Sequence, residues 1–316
     1  MKTIAILAIV GVAALAMFSM TSGVNSGVES QFQTFLSRHG VNYGTTEEYN
    51  FRLGVFQENL DTIARLNAEN PRATFAVNKF ADRTPAEMKK RMGIIIPAGT
   101  KTTGPRTSVT GFTNADWSHM WSSIKDQGQC GSCWAFSAAA AFEARYVISQ
   151  GATHVNILYA EQELVDCEPR SNGCQGGWMD YAFTYLQNNV FCTEDQYPYT
   201  AFSGTCNASA CSRGPNDKTH YDISPGDEAE LLNALVDGPV SVTVDANSWA
   251  FYSGGILDTC GTSLDHGVTL IKSSSYEGSV TIRNSWGDSW GENGLIRLAV
   301  NKNMCGYANA ASYPIF

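Results

Sequence analysis

The sequence has little charge and no excess of positive charge. Asp, Glu, Lys and Arg account for 16% of its 316 residues, and the formal net charge is −9 at pH 7. Phosphate backbones repel a negative chain, so this balance argues against a nucleic acid as partner. With 43% hydrophobic residues the composition is still that of a globular protein rather than a disordered one.

Long hydrophobic runs are absent after residue 23. The one such run, Ile4 to Phe18, follows the positive Met1-Lys2 and precedes small polar residues, which is the layout of a cleaved secretory signal peptide. A membrane span would need roughly 20 apolar residues, more than this run supplies. We therefore expect a signal peptide at residues 1–23. After its removal we expect a protein without membrane contact, delivered through the secretory pathway to a lysosome-like vacuole or to the outside of the cell.

Cysteine is missing from the first 129 residues and then occurs nine times. Export permits disulfides, and an odd number of cysteines in an exported chain leaves at least one thiol unpaired. This leftover thiol is the first functional clue. The nine cysteines are Cys130, Cys133, Cys167, Cys174, Cys192, Cys206, Cys211, Cys260 and Cys305.

The cysteine-free part of the chain is also its basic part. A Gly/Thr/Pro-rich stretch around residue 108 separates a front segment, residues 24–107, from a back segment, residues 108–316. Up to residue 107 there are 12 Lys and Arg against 8 Asp and Glu, and after it there are 9 against 22. The net charge is thus +4 before the boundary, with Lys2 of the expected signal peptide included, and −13 after it. Opposite charges could attract the two segments to each other, although solvated surface charge explains the same counts.

A helical stripe dominates the front segment. Six residues recur at steps of three or four, which keeps them on one face of a helix. They are Glu48, Arg52, Phe56, Asn59, Ile63 and Asn67. By itself the pattern indicates an amphipathic helix.

The same spacing resembles the signature of propeptides in the cathepsin L-like branch of the papain family. Downstream, "AVNKFAD" resembles a second element of these propeptides through Asn78, Phe80 and Asp82. The resemblance implies that the front segment inhibits its own enzyme by occupying the cleft in the non-productive direction, and that it is then cut away. Acid should break this latency by protonating carboxylates that hold basic partners, and Asp82 is a candidate trigger if it pairs with Arg83 or Lys79.

Two cysteines three residues apart, Cys130 and Cys133, lie in "DQGQCGSCWAFS". A thioredoxin-like redox motif would need a small βαβ unit, and a structural zinc site would need a second pair of ligands at matching spacing. The five histidines are scattered and no second CxxC occurs. We therefore expect neither a metal nor a cofactor, which leaves nucleophilic catalysis.

Cys133 opens "CWAFSAAAAFEARYVIS", an alanine-rich stretch that favours a helix. At a helix N-terminus the dipole favours the thiolate, which is the nucleophilic form of cysteine. "CGSCW" resembles the papain-family signature at the nucleophile, and His266 and Asn284 follow in the order of that family. The resemblance implies that Cys133 is the nucleophile, His266 its base, Asn284 the group that orients the histidine, and Gln127 the oxyanion-hole donor.

The resemblance also assigns the other cysteines and the substrate-binding residues. It implies bridges between Cys130 and Cys174, Cys167 and Cys206, and Cys260 and Cys305, which leaves Cys192 and Cys211 for an additional bridge. It implies that Gly177 binds the substrate backbone. The further substrate-binding positions are Trp178, Met179, Thr243, Leu264, Ala310 and Trp286. The pocket set among them is apolar and carries no acid, so we expect an aliphatic or aromatic side chain two places before the cut.

The fold implied is α+β and papain-like, with a mainly helical lobe near residues 113–220 and a β-rich lobe near residues 221–316. Local patterns agree, since "GPVSVTVDA" is typical of a strand and "WMDYAFTYLQNN" of a helix. We expect a monomeric cysteine endopeptidase that is made as an autoinhibited zymogen and acts on peptides and proteins. The alternative is a catalytically inactive binding or inhibitor protein of the same fold. The joint presence of Cys133, His266, Asn284 and Gln127 argues against it.

Overall fold

A computed structural model describes residues 26–104, 112–207, 209, 211 and 214–316 of the chain. The expected signal peptide and the boundary near residue 108 lie outside these residues. The helices within them are α1 (Ser26–His39), α2 (Thr46–Glu69), α3 (Pro85–Lys89), α4 (Cys133–Ser149), α5 (Glu161–Cys167), α6 (Met179–Leu186) and α7 (Glu228–Val236). No helix of the described part of the chain is long and apolar enough to cross a membrane.

The strands form one mixed sheet. They are β1 (Ala73–Phe75), β2 (Ala115–Asp116), β3 (Thr219–Asp222), β4 (Val240–Val244), β5 (Tyr252–Leu257), β6 (His266–Ser274), β7 (Ser279–Arg283), β8 (Leu295–Ala299) and β9 (Ala311–Ile315). Their order is β1-β5-β8-β7-β6-β4-β9-β3, with β2 paired to β6, and only β5 and β8 run parallel in the described sheet. Strands β4 and β7 are buried along their whole length, which explains their β-branched sequences.

The helical stripe of the front segment packs α2 against the elements around it. Thr45 caps α2 by accepting a hydrogen bond from the Glu48 backbone at 3.1 Å. Arg52 binds Glu48 at 2.7 Å and Glu87 of α3 through two hydrogen bonds of 2.7 and 2.9 Å. Asn59 donates to the carbonyls of residues 81 and 83. The polar members of the stripe therefore join α2 to the rest of the front segment, while its apolar members enter the core.

The front segment is anchored to the β-rich lobe at several points. Strand β1 pairs antiparallel with β5, and Asn78 donates to the carbonyl of Ala250 at 2.8 Å. The Phe80 ring meets the Trp286 ring edge-on with centroids 5.7 Å apart. Lys79 forms an ion pair with Asp126 at 2.7 Å. These contacts hold the front segment across the back segment.

Asp82 lies buried within the front segment itself. Only 1% of its side chain is exposed, and its carboxylate faces the Arg83 guanidinium at 3.3 Å. The Tyr43 hydroxyl donates to the same carboxylate. Of the two partners proposed for it, Arg83 is therefore present, whereas Lys79 binds Asp126 instead.

Each lobe of the back segment has its own core. Trp134, Phe142 and Phe183 belong to the core of the helical lobe, and Trp249 and Trp290 to the core of the β-rich lobe. Each end of the back segment packs in the lobe opposite to the one expected from the ranges 113–220 and 221–316. Strand β2 pairs with β6 in the β-rich lobe, whereas the ring of the C-terminal Phe316 lies 4.8 Å from that of Phe142 in the helical lobe.

Candidate active site

Cys133 is the first residue of α4 and is fully buried. The loop before it is held by the Cys130–Cys174 disulfide and by a hydrogen bond of 2.8 Å from the Gly131 N–H to the Cys174 carbonyl. Gly128 makes the turn possible because its φ is +62°, a conformation that favours glycine. A short, doubly tethered loop thus fixes the position of the thiol at the helix N-terminus.

His266 and Asn284 lie on the other side of the cleft, at the start of β6 and just after β7. The Nε2 atom of His266 is 2.8 Å from Asn284 Oδ1. The Trp286 ring stacks obliquely on the imidazole with centroids 5.0 Å apart, and all three side chains are buried. The backbone N–H of Gly267, the residue after His266, lies close enough to the Cys133 sulfur to lower the pKa of the thiol. The start of β6 therefore lies next to the start of α4 at the Cys133 thiol.

The pairing at Nε2 leaves the second ring nitrogen for chemistry. Among the described residues, His266 Nδ1 has no hydrogen-bond partner although it is buried. An amide oxygen on one nitrogen fixes both the tautomer and the plane of the ring. The arrangement can therefore exchange a proton at Nδ1.

Gln127 is buried beside the thiol loop with its amide fully used. Its Nε2 donates to the carbonyls of Cys130 and of Arg91, both at 2.8 Å, and its Oε1 accepts from the Ser285 hydroxyl at 2.7 Å. Ser285 follows Asn284 in the sequence, so one loop holds both the histidine and the glutamine in place. Sequence reasoning missed Ser285, and no motif in the chain indicates it.

The front segment passes directly over these groups. The Gly93 N–H donates to Cys133 Sγ at 3.2 Å, and the Gly93 carbonyl accepts from Gly177 N at 2.9 Å. The next residues continue along Gly177, with Ile95 N donating to its carbonyl at 3.0 Å. Ile94 and Gly177 pair in the parallel sense. A chain of the opposite direction would pair with Gly177 antiparallel.

Burial dominates the electrostatics of the site in this covered state. Burial away from water raises the pKa of the Cys133 thiol to about 11. The N–H groups of Gly267 and Gly93 lower this pKa, but by less than burial raises it. Burial also lowers the pKa of His266 to about 4, and the nearby Arg91 guanidinium lowers it further. The sequence led us to expect a stabilised thiolate at this helix start. Here the pair is neutral because the front segment excludes the water that would solvate either ion.

The pocket residues expected from the sequence come together only in part. Trp178, Met179 and Ala310 line one cavity of about 320 Å³. Thr243 lies behind it, where its hydroxyl donates to the Ala310 carbonyl at 3.1 Å, and Leu264 lies near Gly306. Two acids that sequence reasoning missed, Asp180 and Asp222, line the same cavity.

The apolar side chain of Ile94 reaches the region between the lobes. Its Cδ1 atom is 3.1 Å from the point where a Cβ on Gly267 would lie. It also packs against the core of the helical lobe, which contains Trp134 and Met179. The front segment itself thus places an aliphatic side chain beside the expected pocket.

Eight cysteines form four disulfides, between Cys130 and Cys174, Cys167 and Cys206, Cys192 and Cys211, and Cys260 and Cys305. Cys133 is the free cysteine of the described chain, and all nine cysteines lie within it. Side chains able to hold a metal converge at two places in the described residues. One combines Glu163 with the bridged Cys192 and Cys211, and the other is Asp180, His220 and Asp222. Neither contains a residue of the Cys133 site.

Comparison with known proteins finds two families that match separate parts of the chain. Residues 112–315 match the papain family of cysteine proteases, and residues 32–88 match the cathepsin propeptide inhibitor domain. The chain is 36% identical to a protein named cathepsin L1 of Drosophila melanogaster over 95% of its own length and 89% of that protein. It is 38% identical to digestive cysteine proteinase 2 of Homarus americanus, with 90% and 94% covered.

Solved structures of proforms share the architecture. Digestive procathepsin L2 from the larval midgut of Tenebrio molitor is similar with a TM-score of 0.80 and 34% identity, covering 92% of this chain and all of the other. A recombinant stem bromelain precursor reaches the same TM-score at 30% identity, with 92% and 99% covered. The fold is therefore the two-lobe α+β fold of these proteases, preceded by a helical inhibitory segment.

Proposed function

Because the chain belongs to the papain family of cysteine proteases, we propose that it is an endopeptidase whose nucleophile is Cys133 and whose base is His266. In the exposed enzyme the Cys133 thiolate attacks the peptide carbonyl carbon. Protonated His266 then gives its Nδ1 proton to the leaving amine, and a thioester remains on the sulfur. His266 next takes a proton from water and the resulting hydroxide cleaves the thioester, which releases the free acid and restores the Cys133 thiolate beside protonated His266.

Asn284 and Gln127 support these steps without changing bonds. Asn284 Oδ1 holds the ring through Nε2, which keeps Nδ1 free for the proton. The negative oxygen of the tetrahedral intermediate would accept from Gln127 Nε2 and from the Cys133 N–H. Burial of the glutamine and its bond to Ser285 make the donor rigid, so no reorganisation is needed when the charge develops.

The observation that most supports this proposal is the path of the front segment. One stretch of peptide contacts Cys133 Sγ, Gln127 Nε2 and the backbone of Gly177 at the same time. These are the three contacts a substrate would need, but the parallel pairing with Gly177 carries the peptide through in the reverse direction. The front segment therefore serves as an intramolecular inhibitor that binds like a substrate and is not positioned for cleavage.

We expect an apolar side chain two places before the cut. Trp178, Met179 and Ala310 form the cavity wall, and Ile94 of the front segment packs next to it. Asp180 and Asp222 line the same cavity, contrary to the expectation that it carries no acid. A substrate carboxylate there would therefore lose its hydration and face like charges instead of a compensating cation. The enzyme should therefore hydrolyse a peptide with Leu at this position far faster than the same peptide with Asp.

The four disulfides support a route through an oxidising compartment, in agreement with the apolar N-terminal run. We place the protein in the secretory pathway, with a lysosome-like vacuole or the extracellular space as its destination. Mass spectrometry of the exported protein tests this route. A chain that begins near residue 24 supports the expected signal cleavage, and a retained Met1 contradicts it.

The proposed activity is tested by incubating the purified proform at acid pH and following two quantities. Mass spectrometry should show loss of the front segment, and hydrolysis of the Leu peptide should appear in parallel. A Cys133→Ala proform, which keeps the fold, should do neither. Hydrolysis by that variant, or processing of the parent without any peptidase activity, would contradict the proposal.

A further inference from the structure

Phe202 is an aromatic side chain that points into solvent beside the cleft. Three quarters of it is exposed, whereas most rings of the described chain are buried. It follows Ala201, whose φ of +61° is unusual for a residue with a side chain. Such backbone strain persists only where surrounding contacts impose it, and it is concentrated at binding sites.

The loop that carries Phe202 is held by buried polar groups. Gln162, 2% exposed, donates to the Phe202 carbonyl at 2.7 Å and accepts from the Thr200 N–H at 2.9 Å. The Ser203 hydroxyl accepts from the Cys174 N–H at 2.9 Å. The ring is thus exposed because the loop is fixed in this shape, not because the loop lacks partners.

The loop forms one wall of an open cavity of about 590 Å³ next to the thiol loop. Gln129 and Gln175 line it from the back segment, and Lys89 and Lys90 line it from the front segment. Gln129 lies in the tethered loop that leads to Cys133, and Gln175 lies in the turn that leads to Gly177. Departure of the front segment would leave the cavity open between these two.

The direction of the substrate locates this cavity relative to the cut. Ile94 pairs with Gly177 in the parallel sense, whereas a substrate would pair with it antiparallel. The substrate residues before the cut therefore lie along Gly177, and the chain then continues to the thiol. The residue directly before the cut then lies between the thiol loop and the turn at Gln175. Its side chain can extend outward into the cavity walled by Phe202.

We propose that Phe202 is a specificity-determining residue for the side chain directly before the cut and that it favours lysine or arginine there. The proposal rests on the proposed peptidase function. The methylene stem of such a side chain would lie on the ring and its cation over the ring face, within reach of the exposed amides of Gln129 and Gln175. Lys89 and Lys90 of the front segment line the same cavity in the zymogen, so the cavity accommodates cationic side chains.

The test compares two peptides that differ only in having Lys or Gly directly before the cut, with Leu before that residue. A cation over an exposed ring contributes on the order of 0.5–1 kcal/mol, so Phe202→Ala should lower kcat/KM for the Lys peptide by about two- to fivefold. The Gly peptide should be hydrolysed as before. Phe202→Tyr, which keeps the ring, should retain the preference, whereas Phe202→Leu should lose most of it.

Tyr276 provides the matched control, since it is 97% exposed in the turn between β6 and β7 and outside the cavity. Tyr276→Ala should leave both peptides unaffected. An equal loss on both peptides in Phe202→Ala would mean that the loop has only a structural role, and no loss on either would mean that the ring does not meet the substrate. Both results overturn this inference while the peptidase function stands. Failure of the parent enzyme to cleave either peptide would instead contradict the proposed function, and this inference with it.

Discussion

The backbone N–H of Gly93 donates a hydrogen bond to the sulfur of Cys133, and no other residue type would fit at that position. A Cβ on Gly93 would lie 1.8 Å from the Gly131 carbonyl oxygen. The front segment therefore needs a glycine where it crosses the thiol. Latency depends on a close backbone approach rather than on a bulky blocking side chain.

Gly93→Ala should lift the front segment from the thiol and weaken latency at neutral pH. We expect peptidase activity of the unprocessed chain to rise at least tenfold, because the contact with Gly131 cannot be relieved without moving backbone. The matched control is Gly54→Ala in α2, where a Cβ meets nothing within 4 Å. Activity at pH 7 with the front segment still attached is the measurement, and equal latency in both variants would contradict this reading of Gly93.

Gln127→Ala should lower kcat of the mature enzyme by about 10²–10³, with a much smaller effect on KM, since the lost donor acts on the oxyanion. Ser285→Ala removes only the hydroxyl that holds the glutamine at 2.7 Å and should cost less, about tenfold. Steady-state kinetics on one peptide distinguishes the two. Equal losses in kcat and in affinity would indicate that Gln127 has a structural role only.

The Arg52–Glu87 pair predicts a particular pH dependence of proform stability. The hydrogen bonds from Arg52 lower the pKa of Glu87 to about 2. A carboxyl group whose pKa is lowered in the folded protein stabilises it at pH values above the ordinary pKa of about 4.5. This stabilisation is lost as the pH falls from about 4.5 through about 2. Glu87→Gln should therefore lower the Tm of the proform between pH 7 and 5, and the difference should shrink towards pH 2.

Glu87 stays ionised down to about pH 4, so its titration does not trigger release of the front segment between pH 7 and 4. Glu87→Gln should therefore shift the rate of front-segment loss without flattening its pH profile between pH 7 and 4. A profile that flattens in Glu87→Gln would contradict this.

The active-site histidine should itself couple release to acid. In the zymogen burial, helped by Arg91, holds the pKa of His266 at about 4, and release restores water and removes the guanidinium. Its pKa then rises towards the ordinary value of about 6.5, so release takes up a proton and is favoured as the pH falls through that window. Burial raises the pKa of the neighbouring Asp265 to about 6.

NMR titration of His266 in the Cys133→Ala proform, which cannot process itself, measures this coupling. The midpoint should lie near 4, and Arg91→Gln should raise it. After removal of the front segment by an added protease the midpoint should move above 6. A midpoint near 6.5 in the intact proform would show that the imidazole is not buried as described.

Local sequence signals predicted several elements of the site well. The six-residue stripe predicted α2, and the alanine-rich stretch predicted a helix that begins at Cys133, where α4 does begin. These features depend on residues close in sequence. The pairing of β1 with β5 joins Ala73 to Gly255, and nothing in either short segment indicates the other.

Long-range contacts also explain why the protonation of Cys133 in the zymogen could not be predicted from the sequence. The expectation of a stabilised thiolate considered the helix start alone, whereas the pKa of Cys133 in the zymogen depends on Gly93 and the residues around it covering the sulfur. Ser285, Arg91 and the two acids of the substrate cavity contact residues that are far from them in the sequence. No local motif encodes such contacts.

We propose that Cys133 is the nucleophile of a peptidase that its own front segment blocks. Mass spectrometry of the protein treated with a thiol-reactive peptide epoxide, before and after acidification, tests this most directly. We predict no label on the intact proform at pH 7, and one label per processed chain, on Cys133, with complete loss of peptide hydrolysis. Labelling elsewhere, or hydrolysis that survives full modification of Cys133, would contradict the account.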